Sequence, residues 1–250
     1  MAEQENVIDA RDVTASIGFL TRLPVRVDGD WAVARGARSA WAYPVAGLVV
    51  GGLVCLAAIL LSALGVPAAM AAGLVLGLSI FVTGALHEDG LADTADGFWG
   101  GWTKERRLEI MKDSRIGAYG VLALGLMLLL RWQGYGQAME AHLWALVAIP
   151  AASRAAMLPL MALPNARGSG VSASVGRPPR AAILLGLGIG FVALLPLGPA
   201  SISIALTMAI AAGLVALVAR AKIGGQTGDI LGATQQVCEI AALVTLAALA

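Results

Sequence analysis

Apolar residues gather in seven runs, at residues 43–64, 67–86, 116–132, 141–163, 181–197, 200–218 and 234–250. A helix crossing the hydrocarbon core of a bilayer needs about 20 apolar residues, within a range of roughly 17–25, so each run predicts a spanning helix and the third, fifth and seventh sit at the short end. The links between runs alternate. Residues 65–66, the turn near Glu140 and residues 198–199 are short and nearly neutral, whereas residues 1–40, 87–115, 165–180 (with Arg167, Arg177 and Arg180) and 220–229 hold nearly all the charge. Basic residues in short loops stay cytoplasmic, which predicts an all-α polytopic transmembrane bundle with the N-terminus and the charged loops inside and the C-terminus outside. Glycines four apart, at Gly47 and Gly51, Gly73 and Gly77, and Gly186 and Gly190, suit close helix contacts in lipid, although glycine is common in bilayer helices generally.

Composition agrees with that pattern. Hydrophobic residues make up 58% of the 250-residue chain and charged residues 13%, with a mean hydropathy of +0.81, which excludes ordinary soluble and disordered classes. Of 33 charged residues, 11 fall within residues 1–40 and 12 within residues 87–117. Cys55 and Cys238 lie inside apolar runs, where they act as small hydrophobes and not as a disulfide or metal pair. The chain opens on acidic and polar residues instead of a basic region and a short apolar core, so no cleaved signal peptide is expected. One integral membrane domain over residues 1–250 is expected, with a cytoplasmic arm at 1–40 and an acidic catalytic loop at 87–117. Membrane lipid is its surroundings; a homo-oligomer is compatible with the pattern, and no nucleic-acid partner is expected.

The second run leads directly into HEDGLADTADGFWGGWTKERRLEIMKDSRIGAYG. If the helix continues, spacings of four, three and seven place Asp89, Asp93 and Asp96 on one face. Two carboxylates ~6 Å apart at an effective dielectric of ~20 repel by about 3 kcal/mol, so three together call for a cation or several bases. Oxygen-only ligands favour Mg²⁺ or Mn²⁺ over zinc or calcium, and Glu88 is a candidate to complete the set. Magnesium commonly brings phosphates. Lys104, Arg106, Arg107, Lys112 and Arg115 follow, suited to phosphate oxygens, or else to neutralising the acids or meeting anionic lipid. Asp113 is a candidate further ligand or the base for an attacking hydroxyl. His87 at a span end is more often interfacial than catalytic.

EDGLADTADGFWGG followed by RRLEIMKDSRIGAYG resembles the adenosylcobinamide-GDP ribazoletransferase (cobalamin synthase) family, and FLTRLPV at 19–25 and GGQTGDILGA at 224–233 agree with it. The resemblance implies the last assembly step of cobalamin: α-ribazole or its 5′-phosphate displaces GMP from adenosylcobinamide-GDP. It also implies substrate-binding roles for Arg22 and Asp229, and a site in the inner membrane facing the cytoplasm. With the resemblance, the acids read as metal-assisted phosphoryl transfer, in which Asp89, Asp93 and Asp96 hold Mg²⁺ against the pyrophosphate. The acids are also a distant echo of CDP-alcohol phosphotransferases, but Asp93 stands where that signature needs arginine. A transporter is the rival class, since Arg154 and Glu239 lie within apolar runs, where they are candidates to pair with each other. Trp99 and Trp102 are read either as stacking partners for a corrin or guanine or as interfacial anchors.

Overall fold

The computed structural model describes residues 6–249; residues 1–5 of the expected arm and Ala250 of the last apolar run lie outside the described residues. The chain is 79% helical, with no strand among the described residues. Its elements are α1 (Arg11–Leu20), α2 (Gly29–Arg35), a 3-10 turn (Gly36–Ala42), α3 (Tyr43–Ala63), α4 (Ala68–Thr83), α5 (Leu86–Gly100), α6 (Lys104–Ile110) and α7 (Ala118–Ala141). There follow α8 (Ala145–Ala155), α9 (Met157–Met161), α10 (Val171–Val175), α11 (Arg180–Leu194), a 3-10 turn (Leu195–Leu197), α12 (Ala200–Ile223) and α13 (Gly228–Leu249).

Every apolar run becomes helix, but fewer of them qualify as spans than the seven expected. Among the described residues four stretches are long and apolar enough to cross a membrane: Gly29–Ala63, Arg180–Leu197, Ala200–Ile223 and Gly228–Leu249. The pair α4 and α5, bent by 87°, makes a fifth if counted as one broken span. The difference has a physical cause. The run at 116–132 extends into a helix of 24 residues, but Arg131 and Gln133 lower its apolar character. The run at 141–163 forms Ala145–Met161, a shorter apolar helix.

Small residues set how closely the helices approach, as lipid-embedded packing requires. A Cβ on Gly47 would lie 2.6 Å from the Ala151 Cα, and one on Gly51 2.7 Å from the Val147 Cα, so α3 and α8 touch backbone to backbone. Gly190 meets the Ala155 methyl in the same way, whereas Gly77 faces open space. Arg22 of the FLTRLPV segment lies beyond the first helix. Helix α1 stops at Leu20, with Leu20 buried and Phe19 exposed. Asp12 anchors this arm: fully buried, it accepts Arg35 Nε and Nη2, both at 2.8 Å, and Trp41 Nε1 at 2.7 Å.

Candidate active site

The chain turns sharply between α4 and α5. Gly84 and Ala85 both take left-handed backbone, with φ of 64° and 57°. Glycine does so freely; an alanine there costs about 1–2 kcal/mol, the kind of strain retained where it sets the direction of a functional segment. Here it sends α5 off at 87°. Arg22 sits on this corner, its backbone N–H donating to the Val82 carbonyl at 2.7 Å and its side chain lying over Gly84. Helix α5 then crosses the start of α13 at two glycines. A Cβ on Gly90 would stand 2.9 Å from the Asp229 carbonyl oxygen, and one on Gly232 3.3 Å from the His87 Cα. Gly90 therefore admits a neighbouring backbone, and the crossing sets the acids of α5 beside Asp229, 136 residues on from Asp93.

The four acids of α5 diverge. Asp89 is exposed and Asp93 half-buried; Asp93 lies in the fields of Asp89 and Asp229, with Arg167 opposing them. Asp96 turns elsewhere: it is buried, and its two oxygens accept the Gly117 and Gly120 N–H groups at 2.7 and 2.9 Å, capping the start of α7. An anion at a helix N-terminus meets its unpaired amides and the positive end of its dipole. Glu88 turns inward, where Oε1 takes Arg131 Nη1 at 2.6 Å and Gln236 Nε2 at 3.0 Å. The single metal set expected from Glu88, Asp89, Asp93 and Asp96 is thus not gathered at one point. Among the described residues no group of three or more His, Cys, Asp or Glu is arranged as a ready metal site.

The expected phosphate-binding residues are dispersed as well. Arg107 is a brace, donating from Nε to the Gly101 carbonyl at 3.0 Å and from Nη1 to the Lys222 carbonyl at 2.9 Å. Arg106 pairs with Glu109 at 2.7 Å on the surface, and Lys112 is exposed. Asp113 pairs with Arg115 at 2.6 Å, and that guanidinium holds its carboxyl down at about 2. Trp102 is 92% exposed, while Trp99 carries the Lys222 ammonium 5.0 Å from its ring centre.

Two groups of residues went unread in the sequence. Arg167 belongs to the loop after α9, which is stitched to the loop before α13 by Ala166 N–H to Gln226 O and Gln226 N–H to Pro164 O, both at 2.8 Å. That stitch brings Arg167 Nη2 to Asp229 Oδ2 at 2.8 Å. Arg131 centres a buried network. Its Nε reaches Glu239 Oε1 at 3.0 Å, Nη1 reaches Glu88, and Nη2 reaches the Tyr135 hydroxyl at 3.3 Å. Gln236 joins Glu88 to Gln235, which donates to Ser153 at 2.9 Å and to Glu239. Glu239 therefore pairs with Arg131 and not with Arg154, whose Nη1 donates to the Pro150 carbonyl at 3.0 Å. An arginine inside an apolar run was the available signal.

Beside the acids opens a cavity of about 310 Å³, bounded by Asp89, Asp229, Arg167 and Asn165 at its polar end and by Phe19, Tyr43, Met157 and Met161 on its apolar side. His87 also borders it and is buried, with Nε2 lacking a partner. These features define a class, polytopic helical membrane proteins that carry an acidic, oxygen-rich face beside a cavity of small-molecule size. The chain belongs to the CobS family, cobalamin-5-phosphate synthase, whose model matches residues 12–247. A protein of Bradyrhizobium diazoefficiens named adenosylcobinamide-GDP ribazoletransferase is 47% identical over 244 residues, covering 95% of this chain and 93% of that one. Proteins of the same name from Brucella canis and Brucella suis are 43% identical over 256 residues, covering 94% of this chain and 95% of each. No solved structure matches the chain.

Proposed function

We propose that this enzyme joins adenosylcobinamide-GDP to α-ribazole or α-ribazole 5′-phosphate and releases GMP, at the cleft between α5 and α13. The ribazole hydroxyl oxygen bonds to the phosphorus nearest the cobinamide, the bond from that phosphorus to the bridging oxygen breaks, and GMP leaves with that oxygen. The hydroxyl proton passes to a base. The observation that carries this reading is the Gly90–Gly232 crossing, which sets Asp89 with Asp229 at the cavity, with Asp93 in the field of both. Family membership and the printed names of the relatives give the reaction, setting aside the CDP-alcohol and transporter alternatives.

Magnesium or manganese suits the donor chemistry of Asp89 and Asp93. Neither forms an ion pair among the described residues, and magnesium is commonly held by one or two carboxylates with substrate phosphates and water completing the shell. When bound, the ion supplies charge neutralisation on the diphosphate and on departing GMP. The chain itself orients the carboxylates through the α4–α5 corner and holds Asp229 against Arg167. The active face lies on the cytoplasmic side of the inner membrane, in keeping with the charged loops; single cysteines at the exposed Ser114 and Ser174 should label from that side of oriented vesicles, and labelling from the other side would reject it. The decisive assay is GMP release from adenosylcobinamide-GDP by purified protein. Release that requires both ribazole and magnesium is expected; turnover undiminished in excess chelator would remove the metal, and no release at all would remove the reaction.

A further inference from the structure

The geometry points to the 310 Å³ cavity as the seat of the ribazole base, leaving the guanine and the corrin outside it. This rests on the reading of the acidic cleft above and assigns one substrate to one wall of it. Ribazole is a nucleoside whose base is a methylated benzimidazole: flat, apolar, and carrying a single free ring nitrogen. The apolar part of the lining matches that description, with Phe19 and Leu20 of α1, Tyr43 of α3, Met157 and Met161 of α9 and Leu231 of α13, while Asn165, Ser172 and Thr227 supply polar groups elsewhere on it. The Phe19 and Tyr43 rings lie 6.0 Å apart with 30° between their planes, and thioethers make adaptable contacts to aromatic edges.

Three arguments separate the candidates. Guanine presents donors and acceptors along its edge, and each one seated against these apolar side chains instead of against the polar groups of Asn165, Ser172, Thr227 or Asp229 costs about 1–3 kcal/mol. The methylated base has one acceptor to satisfy and gains from every methyl buried. Size decides against the corrin, because 310 Å³ is at the lower end of the roughly 300–1,000 Å³ of small-molecule sites, and a macrocycle with its side chains exceeds it. Charge keeps the diphosphate off the apolar side chains: among the described residues the one Lys or Arg bordering the cavity is Arg167, at the polar end and 2.8 Å from Asp229. Asp89 and Asp229 stand at the polar end, so a base seated on the apolar wall directs its ribose toward the carboxylates.

The test is Met161→Trp in the full-length protein, assayed with each substrate varied against a saturating level of the other. Filling the apolar wall should raise KM for ribazole about tenfold or more and leave KM for adenosylcobinamide-GDP unchanged. A rise confined to adenosylcobinamide-GDP would hand the cavity to guanine or corrin, and no change in either KM would show that it binds no substrate; both overturn the assignment. Should Met161→Trp fail to fold, dimethylbenzimidazole with wild-type protein decides instead. The free base should inhibit competitively against ribazole and not against adenosylcobinamide-GDP, and the reverse pattern would overturn the proposal. Asp93→Asn keeps the two readings apart: it should still bind dimethylbenzimidazole in equilibrium dialysis while losing turnover. Full turnover in that variant would remove the acidic-cleft reading and leave the base pocket standing.

Discussion

Glu88 and Asp89 are neighbours in sequence and opposites in environment. Glu88 is buried, bound to Arg131 and Gln236, and part of a network that ties α5 to α7 and α13. Asp89 is exposed at the polar end of a cavity and, like Asp93, forms no ion pair among the described residues. One turn of helix thus separates a carboxylate whose charge is compensated by the protein from carboxylates whose charge is left for something else. A buried charge without a partner costs several kcal/mol, and here Arg131 compensates both Glu88 and Glu239, with Glu88 Oε2 the one carboxylate oxygen of the pair left without a hydrogen bond among the described residues. A cluster of uncompensated acids repels itself and is tolerable when a ligand gathers it.

Breaking the inner set should cost the most stability. Arg131→Leu leaves Glu88 and Glu239 buried together without their guanidinium, a loss of about 3–5 kcal/mol, read as a large fall in Tm in detergent. Adding Glu88→Gln and Glu239→Gln should recover much of it, because neutral amides need no counter-charge. A single variant as stable as wild type would show that the network carries no weight.

The outer set should behave in the opposite sense. Asp93→Asn should lower kcat and kcat/KM together by about 100- to 1,000-fold, the scale on which preorganised charge acts in a transition state. Its Tm should hold or rise slightly as repulsion from Asp89 and Asp229 falls. Near wild-type turnover at saturating magnesium would remove Asp93 from the reaction. Asp96→Ala sharpens the boundary between the two sets. As the cap of α7 it should cost about 0.5–2 kcal/mol in stability, with turnover reduced less than in Asp93→Asn. Unchanged Tm with abolished turnover would return Asp96 to the metal set that the sequence spacing suggests.

How much of this was legible follows from what periodicity encodes. Apolar runs placed α3, α4, α7, α11, α12 and α13, and the 4-3-7 spacing placed three aspartates along α5, because both depend on local geometry. A shared face does not say what that face meets. Asp96 reaches Gly117 and Gly120 only because α7 begins there, and Glu88 reaches Arg131 only through the packing of α5 on α7. The pairing of Arg131 with Glu239 spans 108 residues, which no window of sequence carries. The resemblance pointed to Asp229, but its placement beside the acids of α5 rests on the close crossing at Gly90 and Gly232, a contact between helices far apart in sequence. Arg154 shows the converse: burial was legible from its run, its partner was not.

The smallest effect concerns Asp113, which the sequence offers as ligand or base. In the structure Arg115 donates to it from Nε, Nη2 and the backbone N–H, at 3.0, 2.6 and 3.1 Å. These bonds favour the ionised form and hold its carboxyl at about 2, below its usual 3.8. A depressed carboxyl contributes to the folded state above its unfolded value and loses that contribution as pH falls from about 4 toward 2, so nothing attributable to Asp113 should change between about pH 5 and 8. The same depression makes it a weak base, since the driving force for taking a proton shrinks as the conjugate acid falls below the working pH. Asp113→Asn should therefore keep turnover within about fivefold, the scale of an exposed ion pair, and leave the acidic limb of log kcat/KM against pH in place. A limb that disappears in Asp113→Asn would make Asp113 the base, and would mean that substrate draws it away from Arg115 into the cleft beside Asp93.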